Sequence, residues 1–104
     1  MWFSKVVMIM NITDYELISD EINKLNVPGI TISHVQGFGD YLNEYSPQGL
    51  CDSLKVEIYT SSEQADGIAK ALSKMATNMT EGGGVVAIEP VTKLLNVKKI
   101  EREM

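Results

Sequence analysis

The chain has 104 residues, of which 44% are hydrophobic and 22% charged, and this is enough for one globular domain but not for a second core. The net charge of −5 argues against a general nucleic-acid binder, whose surface should be basic. Nowhere does the sequence contain the roughly 18 consecutive apolar residues that a membrane span needs.

The start of the chain and its one cysteine bear on where the protein works. The first ten residues are apolar but lack a basic leader and a cleavage site of small residues, so we expect no signal peptide. Cys51 cannot form an internal disulfide, which agrees with a reducing compartment. We expect residues 1–104 to form one cytoplasmic domain without membrane insertion.

The first part of the chain predicts a strand, a helix and a second strand. Residues 2–10 are rich in large apolar types and predict a buried strand. Thr13 and Glu16 have the spacing of a capping box, which predicts a helix from Thr13 to about residue 25. One face of that helix would carry Leu17, Ile18, Ile22 and Leu25. Residues 30–36 then alternate apolar and polar, as a half-buried strand does, and lead into Gly37-Phe38-Gly39.

Residues 40–53 have no periodicity and predict a long loop. A loop of about fourteen residues is unusual in a small domain and indicates a functional segment. Its candidate contact residues are Asp40, Tyr41, Tyr45 and Cys51. Residues 54–59 alternate strictly and predict a third strand, paired with the second.

The second half repeats the strand-helix-strand order. Thr60 or Ser61 begins a predicted helix whose apolar stripe is Ala65, Ile68, Ala69, Leu72 and Met75. Asp66-Gly67 could indicate a hairpin, but its flanks do not alternate, so we place Gly67 inside the helix. Residues 85–88 predict a fourth strand, ended by Pro90. In the tail, residues 91–104, we expect a short helical turn at 91–95 and an extended piece at 97–101.

This order of elements predicts an α+β fold of the ferredoxin-like, split βαβ kind (βαββαβ). Such a fold has a four-stranded antiparallel sheet with both helices on one face. A small sheet of this kind keeps one exposed face and free edges, which favours association with other copies.

Two glycine-rich segments are candidate ligand sites. Gly82-Gly83-Gly84 forms either a simple turn or a nest of backbone N–H groups that attracts an anion such as phosphate. Gly37-Phe38-Gly39 is either a bulge at a strand end or a segment that clamps a ligand. Four of the nine cations lie in the last twelve residues, a tail that suits a small anion or is simply solvated surface.

His34 and Cys51 are candidates for reactive or metal-binding residues. A Cys–His nucleophile would need an orienting third group, and none is identifiable. Met79 or Asp52 could join them around a metal, but the spacing matches no known closed site. We therefore predict no catalytic residues, no metal site and no covalent cofactor, and expect His34 at the surface of a strand.

The motifs together resemble the PII signalling family and its PII-like relatives. The resemblance rests on residues 31–39, with Gly37-Phe38-Gly39 before the long loop, on the 54–59 strand, and on Gly82 to Val91, with Pro90-Val91 after the strand. It covers nearly the whole chain in order. PII proteins are trimers of ferredoxin-like subunits that bind adenine nucleotides in clefts between subunits, and their T-loop reports the nucleotide state to partner proteins.

The resemblance implies a nucleotide site and a T-loop at defined positions. It places the base near Thr31 and Gly37-Phe38-Gly39, with Glu57 lining the cleft. It places the phosphates on Gly82, Gly83, Gly84 and Lys98. Residues 40–53 would be the T-loop.

Several positions depart from the usual PII pattern and change the expected ligand. Val85 and Asn96 stand where PII proteins usually carry a lysine and an arginine, and Tyr41 stands where they usually carry glutamine. The lysine usual before Gly82 is also replaced within residues 78–81. Because each lost cation removes a charge-assisted contact, we expect ADP or AMP to bind better than ATP.

The resemblance implies a regulatory homotrimer rather than an enzyme. The expected partner is a membrane transporter or a metabolic enzyme, and PII-like relatives link such regulation to inorganic carbon, with bicarbonate as a co-ligand, or to nitrogen metabolism. The alternative is a metal-responsive, CutA-like trimer associated with metal efflux or tolerance, which would use His34 and Cys51.

Overall fold

The predicted order of elements is confirmed by the computed structural model, which describes residues 2–11, 16, 18–38, 49–79 and 84–98. Its elements are β1 (Phe3–Met10), α1 (Ser19–Asn23), β2 (Thr31–Gly37), β3 (Cys51–Ser61), α2 (Ser62–Met79) and β4 (Gly84–Val91). The strands form one antiparallel sheet in the order β2-β3-β1-β4. The fold is therefore the ferredoxin-like arrangement expected from the sequence.

The core lies between one face of the sheet and the two helices. Because side chains alternate along a strand, β1 and β3 each place every second residue on this face. Its fully buried members are Val6, Met8 and Met10 of β1 and Leu54, Val56 and Ile58 of β3. Ile18, Ile22, Ala65, Leu72 and Met75 cover them from the helical layer. Each large aliphatic side chain buried here contributes roughly 1.5–3 kcal/mol.

The other face of the sheet, called here the open face, carries the intervening residues of each strand. The register places Phe3, Lys5, Val7 and Ile9 of β1 on it, beside Ser53, Lys55, Glu57 and Tyr59 of β3. Thr31, Ser33, Val35 and Gly37 extend it on β2, and Val85, Ala87, Glu89 and Val91 on β4. No described helix packs on this face.

The described α-helical part of the first helix lies within the predicted range, and Glu16 before it has 3₁₀-helical conformation. Helix α1 begins at Ser19, and its N-cap Ile18 makes no side-chain capping hydrogen bond. The predicted cap at Thr13 and the stripe residue Leu17 lie outside the described residues. The predicted apolar face is confirmed at Ile18 and Ile22, which are buried, while Leu25 packs against the core from the segment that follows the helix.

The third strand is longer than predicted, and the loop assignment of Cys51 is wrong. Residues 51–53 belong to β3 and pair with residues 35–37 of β2. They follow the strand alternation, since Cys51 and Ser53 are buried while Asp52 is exposed and accepts a hydrogen bond from Gln36 at 2.9 Å. Asp40, Tyr41 and Tyr45 lie outside the described residues.

The long second helix agrees with its predicted apolar stripe. Gly67 lies within α2, and a Cβ added there would contact nothing within 4 Å. The Thr60 hydroxyl donates to Gln64 Oε1 at 3.3 Å, and the Ser62 backbone N–H donates to the Trp2 carbonyl at 2.9 Å. These bonds fix the direct passage from β3 into α2.

The fourth strand continues past Pro90, where we predicted that it ends. Pro90 pairs with Ser4 and Val91 with Phe3. Because β4 is an outer strand, its proline is tolerated where the missing N–H faces away from β1. The predictions for the tail were also wrong: residues 93–96 have no regular structure, and Val97 and Lys98 are helical rather than extended.

Candidate functional site

A cavity of about 690 Å³ lies where β2 begins and β3 continues alone. β2 starts with Thr31 opposite Glu57, so residues 58–61 of β3 have no partner on that side. We call this place the β2–β3 step. Its cavity is within the size range of small-molecule sites. The lining residues include Phe3, Gly29, Thr31, Glu57, Tyr59, Gln64 and Leu94.

Glu57 is held by two lysines on the open face. Lys5 Nζ lies 3.2 Å from one Glu57 oxygen, and Lys55 Nζ lies 4.0 Å from the other. Lys5 also approaches Glu89 of β4 at 3.5 Å. The hydrogen bond that Lys5 donates to Glu57, together with the charges of Glu89 and Glu57, raises the pKa of Lys5 above its ordinary value despite partial desolvation. Lysines of the same sheet therefore balance the negative charge of the Glu57 carboxylate, which faces the cavity.

Gly84 is required by packing between two strands. It is the first residue of β4 and pairs with Met10. A Cβ added at Gly84 would collide with the Ile9 carbonyl oxygen and lie 3.1 Å from Met10 Cα. The close approach of β1 therefore explains why glycine is needed at position 84, without a ligand. Gly82 and Gly83 lie outside the described residues.

Gly37 and Phe38 lie at the opposite end of β2 from Thr31. Gly37 is the last residue of that strand and pairs with Cys51, and Phe38 follows with 62% of its surface exposed. Gly37 lies six positions after Thr31 along the strand, a span of about 20 Å. Gly39 lies outside the described residues.

The described candidate residues do not converge within one subunit. Gly37 is on β2 and Gly84 on β4, the two outer strands of the sheet, so about 14 Å of sheet separates them. Lys98 is exposed in the tail, where its backbone N–H donates to Asn96 Oδ1 at 3.1 Å. Only Thr31 and Glu57 are brought together, as strand partners that line one cavity.

The structure separates His34 from Cys51. His34 pairs with Leu54, whose side chain is in the core, whereas Cys51 lies three residues earlier along β3. An odd separation along a strand places two side chains on opposite faces. One subunit therefore cannot combine them in a nucleophilic pair or a metal site, and His34 is exposed on a strand as expected.

Comparison with known proteins assigns the chain to a family. Residues 3–101 match the family model "Nitrogen regulatory protein P-II". The chain belongs to the P-II family. Among curated P-II proteins, the one from Cyanidium caldarium is 23% identical over 110 residues, which cover 98% of this chain and 96% of that protein. The P-II homologues of rice (Oryza sativa subsp. japonica) and Arabidopsis thaliana are 24% and 25% identical over 96% of this chain. The chain spans about half the length of these two plant relatives, 51% and 55%.

Two solved P-II structures share the fold. Arabidopsis thaliana PII bound to citrate superposes with a TM-score of 0.71 at 23% identity, covering 93% of this chain and 84% of that one. The B. subtilis GlnK–ATP complex also gives 0.71, at 21% identity, and covers 93% of this chain and 88% of that one. At this identity the likeness establishes the P-II fold alone.

Sequence reasoning missed several residues that line the cavity. The P-II resemblance pointed to Thr31 and Glu57, but Phe3, Tyr59 and Gln64 also line it. The alternation of residues 54–59 carried a signal for Tyr59, because it places Tyr59 on the same sheet face as Glu57. Gln64 lies in the first turn of α2, and no motif around it indicates a site.

The described part of the chain holds neither a candidate metal cluster nor a helix that could span a membrane. Within it, no cluster of three or more His, Cys, Asp or Glu side chains could hold a metal ion. None of the described helices is long and apolar enough to span a membrane.

Proposed function

We propose that the protein is a P-II-type regulator that senses an adenine nucleotide in clefts between the subunits of a homotrimer. The observation that carries the proposal is the pairing of Thr31 with Glu57 at one cavity of about 690 Å³. The resemblance assigned Thr31 to the base end of the nucleotide and Glu57 to the lining of the cleft. The B. subtilis relative crystallised with ATP supports a nucleotide ligand.

The separation of the candidate residues supports a site shared between subunits. Thr31 and Gly37 lie on one outer strand of the sheet and Gly84 on the other. Within one subunit, β3 and β1 and about 14 Å of sheet lie between these outer strands. Two copies that meet edge to edge would bring β2 of one subunit near β4 of the next.

The residues near the phosphate end favour ADP or AMP over ATP. Val85, which follows Gly84, has an apolar side chain that is 39% exposed, and Asn96 is uncharged. Lys98 remains as a cation for the phosphates. Each hydrogen bond to a charged group contributes about 1.5–3 kcal/mol, so the loss of cations weakens the γ-phosphate contact first.

The segment between β2 and β3 would report the nucleotide state to a partner. We assigned this role to residues 40–53; since β3 begins at Cys51, the proposed reporter is the part that precedes it. The partner in this proposal is a membrane transporter or a metabolic enzyme in the cytoplasm. If bicarbonate is a co-ligand, the proposed regulation concerns inorganic carbon. The family description instead favours regulation of nitrogen metabolism.

Calorimetric titration with ATP, ADP and AMP tests the ligand, and light scattering tests the trimer. We expect a trimer mass, with ADP or AMP bound at least as tightly as ATP. ATP bound tenfold more tightly than both would overturn the preference. No binding of any of the three by the trimer would overturn the nucleotide-sensing function itself.

Limited proteolysis tests the reporter segment. Saturating nucleotide should change the rate of cleavage between residues 38 and 51, while cleavage at other sites serves as the internal control. If cleavage in this segment is the same with every nucleotide, the segment does not report the ligand.

A further inference from the structure

We propose that the end of the sheet where β1 begins and β4 ends docks on an anionic lipid membrane, with the Trp2 ring among the headgroups and the Lys93 ammonium group near the lipid phosphates. The contact is peripheral and involves no segment that crosses the bilayer. It uses Trp2 and Lys93, two exposed side chains to which the nucleotide proposal gives no role.

The register of β1 and β4 brings the start of the described chain next to its tail. Phe3 pairs with Val91, so Trp2 and Thr92 lie just beyond the same end of the paired strands. A cavity of about 480 Å³ opens here, lined by uncharged residues: Trp2, Phe3, Ser62, Pro90, Val91 and Thr92. Lys93 follows directly, so an apolar surface and a cation meet at one end of the sheet.

Trp2 is the most exposed of the large apolar side chains that the structure describes, at 81%. Its backbone is anchored, since the Trp2 carbonyl accepts a hydrogen bond from the Ser62 backbone N–H at 2.9 Å. An indole ring combines a large apolar surface with one N–H donor, and tryptophan is enriched where a bilayer meets water for that reason. The fold thus holds at a fixed position a side chain suited to the headgroup layer.

The tail adds further exposed apolar side chains. Leu94, Leu95 and Val97 are 40%, 55% and 70% exposed. With Trp2 they make up four of the nine large apolar side chains that are exposed in the described residues. A single exposed apolar residue is normal, but a group of them at one place on the surface indicates an interaction site.

The charge of the tail favours a membrane as the occupant. Residues 90–98 contain two lysines and no acid. Lys98 is already assigned to the nucleotide phosphates, so the proposal uses Lys93, which is exposed and forms no ion pair within the described residues. A second copy of the chain would bring the same cation against it. An anionic membrane instead offers lipid phosphates to Lys93 and apolar depth to Trp2.

The net charge of −5 does not prevent this local contact. Exposed charges separated by more than about 8 Å are largely screened at physiological ionic strength. Of the acids nearest in sequence, Glu89 lies 3.5 Å from Lys5 on the open face, and Glu63 is exposed in the first turn of α2. Binding should therefore depend on both the apolar ring and the cation, and it should weaken at high salt.

Fluorescence of Trp2, the one tryptophan in the chain, tests the proposal on the wild-type protein. Vesicles of phosphatidylcholine mixed with phosphatidylglycerol should shift its emission to shorter wavelength and protect it from acrylamide. Pure phosphatidylcholine vesicles should have a much smaller effect. No shift with the mixed vesicles overturns the inference. Resistance of Trp2 to acrylamide in the free protein also overturns it, because another subunit then covers the ring.

Co-sedimentation of variants with the mixed vesicles tests the two residues separately. We expect Trp2→Ser to weaken binding at least tenfold and Lys93→Gln at least threefold. The matched controls are Leu50→Ser, an exposed apolar residue before the opposite end of β3, and Lys70→Gln, an exposed lysine of α2; both should stay within twofold of wild type. Wild-type affinity in Trp2→Ser overturns the inference, and wild-type affinity in Lys93→Gln overturns the part assigned to that lysine.

Soluble polyglutamate separates a membrane from an acidic protein as the occupant. We expect it to leave the Trp2 emission unchanged, and a shift as large as that with the mixed vesicles overturns the inference. Trp2→Ser should bind AMP as the wild type does, which shows that the variant is folded. Failure of the wild-type protein to bind any nucleotide would overturn the proposed function and leave this inference standing.

Discussion

Lys5 Nζ on β1 contacts Glu57 Oε2 on β3 at 3.2 Å, and the contact is diagonal: the direct partners are Tyr59 for Lys5 and Val7 for Glu57. The same lysine lies 3.5 Å from Glu89 on β4. One cation thus links three strands on the open face and fixes the carboxylate that borders the cavity.

Replacing Lys5 should change how stability depends on alkaline pH. The raised pKa of Lys5 means that its charged form is favoured by folding, so its contribution is complete below pH 10.5 and is lost as pH rises through the folded-state pKa. Lys5→Met should therefore flatten the decline of the unfolding free energy above pH 10.5. Urea unfolding between pH 8 and pH 12 measures this. The control Lys70→Met, on the exposed surface of α2, should keep the wild-type profile; identical profiles for both variants would contradict the prediction.

Substitution of two glycines by alanine should have opposite effects. Gly84→Ala places a methyl group against the Ile9 carbonyl, and we expect a loss of about 1–3 kcal/mol in the free energy of unfolding. Gly67→Ala lies in an open part of α2 and should add about 0.4–1 kcal/mol by restricting the unfolded chain. Urea unfolding of both variants measures the pair. A Gly84→Ala variant as stable as wild type would show that β4 can move away from β1 at no cost.

Two buried serines should respond differently to loss of the hydroxyl. Ser53 is fully buried, and its hydroxyl has no hydrogen-bond partner in the described part of the chain. Ser53→Ala should leave the unfolding free energy unchanged or raise it by up to about 1 kcal/mol. Ser4 is similarly buried but bonds to the Ser62 hydroxyl at 2.8 Å, so Ser4→Ala should cost about 0.5–1.5 kcal/mol. A loss above about 1 kcal/mol for Ser53→Ala would mean that the assembled protein supplies a partner for this hydroxyl.

The Cys51 thiol should react slowly in the native protein. It is 91% buried in β3, where its Sγ lies 3.7 Å from the Gly49 carbonyl, rather than in an accessible loop. Labelling with a thiol reagent at fixed pH should be at least tenfold slower in buffer than in denaturing urea. Equal rates would contradict the strand assignment of residues 51–53.

The sequence predicted the fold because its periodic segments are strong, and it failed where single residues were taken as boundaries. The alternation of residues 54–59 and the stripe around Leu72 each involve several apolar positions. We predicted that β4 ends at Pro90 because proline lacks the N–H that a strand donates to its neighbour. Since β4 is an outer strand, one of its sides has no neighbour within the sheet, and proline is tolerated there. Strand order is a long-range property that the local sequence around Pro90 does not contain.

The site was only partly predictable for a similar reason. Thr31 and Glu57 came from a family motif, and their contact follows from the β2–β3 register. Gln64 reaches the same cavity from α2, because β3 passes directly into the helix at Ser61–Ser62. The periodicity of β3 or α2 does not predict that Gln64 reaches the cavity. Gly84 was predicted to bind phosphate. Its contact with Ile9 joins residues 75 positions apart, so the local sequence gives no sign of it.

β3 extends past one neighbour at each of its ends: past β1 at residues 51–53 and past β2 at residues 58–61. The proposed reporter segment therefore joins one overhang, and the cavity lies at the other. β3 cannot transmit a signal by sliding, since a shift of one residue would turn Leu54, Val56 and Ile58 away from the helices. A tilt or twist of β3 as a unit keeps these side chains in the core and would connect the cavity to the far end. In such a movement β3 would pivot about its buried middle, and its two ends would move in opposite directions.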